Sequence, residues 1–172
     1  CGRAALKVFE ENPDIILDIL DIMLPDIDGI EILINNAGTQ NEDDIDVNLK
    51  ALIHVTEKYG VREGIRSVLN IGSASGHTGS EFPEYCASKG GINSLSKAMA
   101  VDLGKYGIRS NVVLPGTIKT ARWDSMGNKQ IVNGELTPIG DISDFEDIAN
   151  AAFYLGTDLS KNVTGAEIHV DG

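Results

Sequence analysis

Short apolar runs that alternate with amphipathic stretches, most of them closed by a polar or glycine-bearing turn, constrain this chain most strongly. Residues 14–20 (DIILDIL), 32–35, 67–71, 112–114 and 167–170 read as strands. Helical patterns occupy 3–11, 43–59, 84–104 and 144–155, and Asn12-Pro13 ends the first of them. Residues 21–30 carry turn residues at Pro25 and Asp28-Gly29, 72–80 form a Gly/Ser-rich turn, and 117–140 read as a long loop or small lid. On 43–59 the apolar side is Ile45, Leu49, Leu52 and Ile53; Gly104 and Gly107 sit at the exit of the long helix. Strands alternating with helices imply a parallel sheet covered on both faces. The expectation is an α/β, doubly wound sheet of about five strands, with more in any complete version.

The 172 residues suit one domain, 1–172. A net charge of −12 argues against nucleic acid as a partner, because that contact needs clustered cations. Cys1 and Cys86 are too far apart in sequence to suggest a disulfide framework or a metal site, so no metal is expected and a reducing cytoplasm is the natural setting. No apolar run approaches the ~20 residues of a membrane helix, and the start reads as lacking a signal peptide.

Tyr85 and Lys89 lie four apart on the 84–104 helix, so their side chains share a face. A free phenol, with a pKa of about 10, is a poor base near neutrality. An adjacent ammonium favours the phenolate, making the pair a proton-transfer device for an alcohol or carbonyl. Ser73 sits in IGSASG, just past a strand and in the turn that leads to this helix. Ligands of parallel sheets bind beyond the carboxyl ends of strands. Ser73, the 35–38 turn and the 115–120 turn all belong to that edge.

These residues carry a resemblance. ILINNAG (32–38), VNL (47–49), VLNIGSASG (68–76), YCASKGG (85–91), AVDLGKYGIRSNVVLPGTIKT (100–120) and a tail with EDIA and VTGAEIHVDG occur in the order of the classical short-chain dehydrogenase/reductase family. The chain resembles that family over roughly 31–172. The resemblance implies a Rossmann-like fold and hydride transfer between NAD or NADP and a small-molecule alcohol or carbonyl. It implies Tyr85 as general acid/base and Lys89 as the group that lowers its pKa and holds the nicotinamide ribose. Ser73 would bind the substrate oxygen, and Asn48 would hold a water in a relay to Lys89. Asn35, Ala37 and Gly38 would line the adenosine side of the cofactor, and Pro115, Gly116, Ile118 and Thr120 the nicotinamide. A homo-oligomer, dimer or tetramer, is expected on the same ground.

The N-terminal part departs from the family. Its first strand and glycine-rich phosphate turn are not present as such. Cys1-Gly2-Arg3 resembles the end of that turn, with Gly2 its last glycine. Asp18 or Asp21 would then grip the adenosine ribose and favour NAD. The junctions at 21–31 and 38–47 are short for the family, so residues 1–30 read as a truncated or spliced part and 31–172 as the catalytic part. Residues 4–33 also resemble the middle of a response-regulator receiver domain, in which Asp21 would accept a phosphoryl group. The alternatives are therefore a catalytically silent fragment or engineered chimera of a dinucleotide-binding fold, and a receiver-type phosphoacceptor module. Among the lesser candidates, His77 lies near Ser73 and reads as a surface histidine, while Cys86 reads as a small buried thiol. Trp123 and Met126 would either wall the substrate side or pack within the lid, and His54 and His169 have no partner that the sequence names.

Overall fold

A computed structural model describes residues 24–25, 31–40, 43–61, 64–120 and 137–172. Five strands form one sheet in the order β1-β2-β3-β4-β5: β1 Leu24–Pro25, β2 Glu31–Asn35, β3 Ile65–Ile71, β4 Arg109–Pro115 and β5 Glu167–Val170. β2 to β5 are parallel, and β1 pairs antiparallel with β2 through Leu24↔Ile32 and Pro25↔Glu31. The helices are α1 Ala51–Tyr59, α2 Ser75–Thr78, α3 Pro83–Gly104 and α4 Phe145–Gly156.

The central strands are apolar on both faces because helices cover both. Side chains alternate along a strand. Leu33, Val68, Val112 and Leu114 therefore pack with Leu52 of α1 and with Ile92, Met99 and Leu103 of α3. Their neighbours Leu69 and Val113 face the other way, onto Leu155 of α4, with Ile34 packed against that cluster. Each fully buried aliphatic side chain contributes about 1.5–3 kcal/mol. On the α1/α3 face of the sheet runs a polar ladder. The Asn35 amide donates to Asn70 Oδ1 and Thr56 Oγ1, both at 2.9 Å. The Asn70 amide in turn donates to Ser96 Oγ at 3.2 Å and Ser110 Oγ at 3.4 Å, so the chain of amides and hydroxyls crosses β2, β3 and β4.

The doubly wound α/β expectation holds, with corrections in detail. The segment 21–30, read as turn, contains β1 at Leu24–Pro25. The 43–59 helix is not uniform: Ile45–Lys50 is a π-helical turn, and the Ala51 N–H bonds back to Asp46 O rather than to Val47 O. Ser75–Thr78 adds a helical turn inside the expected 72–80 loop. β4 is longer than 112–114 because Arg109–Asn111 also pair with β3 and Pro115 with β5. Gly107 leaves α3 with φ 73°, a left-handed value that favours glycine. α4 starts one residue after the expected 144, with Asp144 as its N-cap: Asp144 accepts from the N–H groups of Glu146 and Asp147 while Asp147 accepts from the Asp144 N–H. The 3–11 helix, the 14–20 strand, Gly2, Asp18, Asp21, Trp123, Met126 and most of 117–140 lie outside the described residues.

Candidate active site

Three turns and one helix converge at the carboxyl ends of β2, β3 and β4. The Gly72 N–H donates to Val113 O and the Ala74 N–H to Pro115 O, so the Ser73 turn is pinned to the end of β4. The Gly116 N–H donates to Val170 O, which ties the Pro115-Gly116 turn to β5. A side chain at Gly116 would come within 2.8 Å of Asp171. Ser73 is 8% exposed, and its Oγ accepts from the Ser75 N–H at 3.2 Å.

α2 then lies directly on α3. A Cβ on Gly76 would stand 2.7 Å from Gly90 N and 2.8 Å from Lys89 C. Backbone can meet backbone here only because both positions lack a side chain. The contact brings the turn carrying Ser73 onto the helix that carries Tyr85 and Lys89. The chain thus joins the elements that the sequence grouped at one edge.

Lys89 is 5% exposed. Its Nζ donates to Ile71 O at 3.0 Å and lies 5.8 Å from the centre of the half-buried Tyr85 ring. Burial lowers its pKa to about 8, opposed by the charge of Asp44. The desolvated ammonium therefore sits close to its own neutral form. Gly38 faces it, because a Cβ there would meet Asn48 Oδ1 at 3.1 Å and Lys89 Nζ at 3.3 Å.

Asn48 is fully buried on the π-helical turn. Its Oδ1 accepts from the Thr39 N–H at 2.6 Å, and its amide donates to Thr39 O and Ser88 Oγ, both at 3.0 Å. The Ser88 hydroxyl donates to Tyr85 O at 2.8 Å. Asn48 thus links the loop after β2 to the backbone of the Tyr85 turn. Single-turn π bulges are frequent at functional sites, and this one places Asn48 beside Lys89.

The other sequence candidates are distributed as follows. Asn35 is buried and its amide belongs to the ladder, whereas Ala37 and Gly38 line the loop that follows it. Pro115 is buried, and Gly116 and Thr120 are half-buried. Ile118 bridges to Ser143. His54 and His169, for which the sequence names no partner, have one in the structure: His54 Nδ1 lies 3.6 Å from Glu57, and His169 Nδ1 3.4 Å from Asp171. Cys86 is half-buried rather than buried, with Sγ 3.1 Å from Ser80 Oγ. The sequence reading missed Thr39, Asp44 and Ser88. Asp44 and Ser88 stand one helical turn from Asn48 and Tyr85, and that spacing is the trace they leave in the sequence.

A family model described as enoyl-(acyl carrier protein) reductase matches residues 12–172. The match includes Asp18 and Asp21, and with them residues 12–33 of the receiver-like stretch. The chain is 31% identical to a 3-oxoacyl-[acyl-carrier-protein] reductase of Haemophilus influenzae, with 90% of the chain and 71% of the relative covered. It is 38% identical to a (3R)-3-hydroxyacyl-CoA dehydrogenase of Canis lupus familiaris, covering 77% of the chain and 55% of the relative. A solved structure assigned to a 2-deoxy-d-gluconate 3-dehydrogenase from Agrobacterium tumefaciens, with bound NADP, superposes with a TM-score of 0.74 at 34% identity, covering 84% of this chain and 67% of that one. Sequence, sheet topology and these likenesses agree: the chain belongs to the short-chain dehydrogenase/reductase family of NAD(P)-dependent oxidoreductases acting on CH–OH groups.

Proposed function

We propose that this chain interconverts a small-molecule alcohol and carbonyl with NAD or NADP, using Tyr85, Lys89, Ser73 and Asn48. The observation that carries the reading is the buried Lys89 ammonium beside the Tyr85 ring, with one hydrogen-bond acceptor, Ile71 O, among the described residues. An ammonium has three donors. Those not used on Ile71 fit the hydroxyls of a ribose, and the missing side chain at Gly38 keeps the space before Nζ open. The bound dinucleotide supplies or accepts the hydride.

Tyr85 gives the proton to the substrate oxygen in reduction and removes it in oxidation. Lys89, while charged, favours loss of the phenol proton through its field. Ser73 donates to the oxygen where charge develops. Asn48 braces the Thr39 loop against the Tyr85 turn, in support of the relay role that the resemblance implies. Ala37, Asn35 and Gly38 border the adenosine side, and Pro115, Gly116, Ile118 and Thr120 the nicotinamide side. By the family resemblance Gly2 would be the last glycine of the phosphate turn, and Asp18 or Asp21 would favour NAD.

The names of the relatives point to 3-oxoacyl and 3-hydroxyacyl thioesters as the substrates to try first. Exposed Val101 on α3 and Phe145 and Phe153 on α4 support a homo-oligomer, a dimer or tetramer. Among the described residues no helix is long and apolar enough to cross a membrane. The free Cys86 agrees with a reducing, cytoplasmic setting.

The test is titration with NADH and NADPH, followed by turnover of 3-oxoacyl thioesters and simple ketones. Saturable binding is expected. Tyr85→Phe should lower kcat by about 10²–10⁴-fold while cofactor binding persists. Undiminished turnover in that variant would remove Tyr85 from its role.

A further inference from the structure

Away from Lys89, two histidines and a glutamate meet where α2 leans on β5. Glu167 and His169 are two apart on β5, so both project from the same face. His77 reaches them from α2. His77 Nε2 lies 3.0 Å from Glu167 Oε2, and the His77 and His169 rings stand 5.3 Å apart at 43°. One ligand atom from each of the three residues falls within 4.8 Å of the others.

Carboxylate and ammonium partners already hold the outer atoms of these ligands. Asp171 Oδ2 stands 3.4 Å from His169 Nδ1, which leaves Nε2 as the nitrogen to be turned toward an ion. Histidine ligands of metals characteristically have such a carboxylate on the other ring nitrogen. Lys97 Nζ holds Glu167 Oε1 at 2.7 Å, which leaves Oε2 toward His77. Glu167 is mostly covered, with 16% of its side chain exposed, while the histidines remain accessible at 42% and 44%.

We infer that His77, Glu167 and His169 form a binding site for a divalent transition ion of the zinc class. Two imidazoles and one carboxylate suit Zn²⁺, and a water completes the tetrahedron. Bonds of about 2.0–2.2 Å put tetrahedral ligands about 3.4 Å apart, so the 3.0 Å pair needs almost no movement and the widest separation closes by rotation of exposed imidazoles. The ion would clamp α2 to β5. Because Ser73 Oγ is bonded to the first residue of α2, the clamp would also steady the turn that carries Ser73. No sequence spacing announces this site, since 90 residues separate His77 from Glu167.

The experiment is calorimetric titration of the full chain, freed of metal by a chelator, with ZnCl₂, and a parallel titration with CoCl₂ read by its visible absorption. One Zn²⁺ per chain is expected, together with the intensified cobalt bands of a four-coordinate site. His77→Ala and His169→Ala should each abolish both responses. Asp171→Asn should weaken binding by about tenfold. His54→Ala should change nothing. Each variant's circular dichroism checks that it folds. Absence of stoichiometric binding by the unmodified chain, or its survival in the His77→Ala/His169→Ala double variant, would overturn the assignment.

Discussion

Two cations among the described residues, Arg109 and Lys89, reach into the fold, and their surroundings differ in an instructive way. Arg109, at the start of β4, closes the carboxyl end of α4. Its guanidinium donates to Leu155 O, Gly156 O, Thr157 O and Ser160 Oγ at 2.6 to 3.1 Å. Those carbonyls are among the groups that a helix leaves without partners at its end, and the positive charge also suits the helix dipole there. Lys89 is buried more deeply, yet among the described residues it has one carbonyl, Ile71 O. Arg109 uses its donors within the fold. Lys89 keeps donors available and has its pKa displaced to about 8 by burial. The first pattern belongs to architecture, and the second suits a group awaiting a ligand.

The contrast can be broken at Arg109 first. Hydrogen bonds to charged groups contribute about 1.5–3 kcal/mol each, and several end together here. Arg109→Ala should therefore lower unfolding stability by about 3 kcal/mol or more in a urea titration, leaving the cofactor Kd of the folded fraction unchanged. A large loss of affinity with intact stability would invert the comparison.

At Lys89 the sign reverses. Its folded-state pKa of about 8 lies below the ordinary 10.5, so between these values the unfolded chain holds more protons. Stability then rises as pH increases through that window, and below about pH 8 the full cost of the buried charge is present. Lys89→Met should stabilise the cofactor-free chain at pH 7 by up to roughly 3 kcal/mol. The gain should shrink as pH rises toward 10.5. Urea midpoints at pH 7 and pH 10 read this directly, and an equal gain at both pH values would contradict it.

Gly76→Ala sharpens the comparison from the neighbouring backbone. The new methyl would press on Gly90 N and Lys89 C, which should cost about 1–3 kcal/mol and reduce kcat as the Ser73 turn is pushed off α3. The smallest effect belongs to the other end of the helix that Arg109 closes. Asp144→Ala removes the cap of α4 and should cost about 1 kcal/mol, measurable as a lower Tm, without altering turnover.

The parts that depend on local patterning were readable from the sequence. Four of the strands, the long helix read over 84–104 and the helix read over 144–155 follow from apolar runs and helical patterning, and the Tyr85–Lys89 pair from helical spacing. The resemblance supplied the grouping of three strand ends. Features set by tertiary packing were not legible. The π-helical turn holds Asn48 against Thr39 and Ser88 at once, an arrangement that no periodicity encodes. β1 depends on its neighbour β2 for its pairing. Asn35 reads as a ligand residue by motif, yet its amide is directed by Asn70, 35 positions away.

The amide ladder through Asn35, Asn70 and Ser110 has a bearing on folding fidelity. Slide one strand by a single residue, and its polar group turns to the opposite, apolar face of the sheet, while its former partners on the neighbouring strands are left with nothing to bond. The registers in which the chain could mispair are thus penalised at three adjacent strands together. The ladder works as a key cut into the sheet, admitting one alignment and rejecting its near neighbours during assembly.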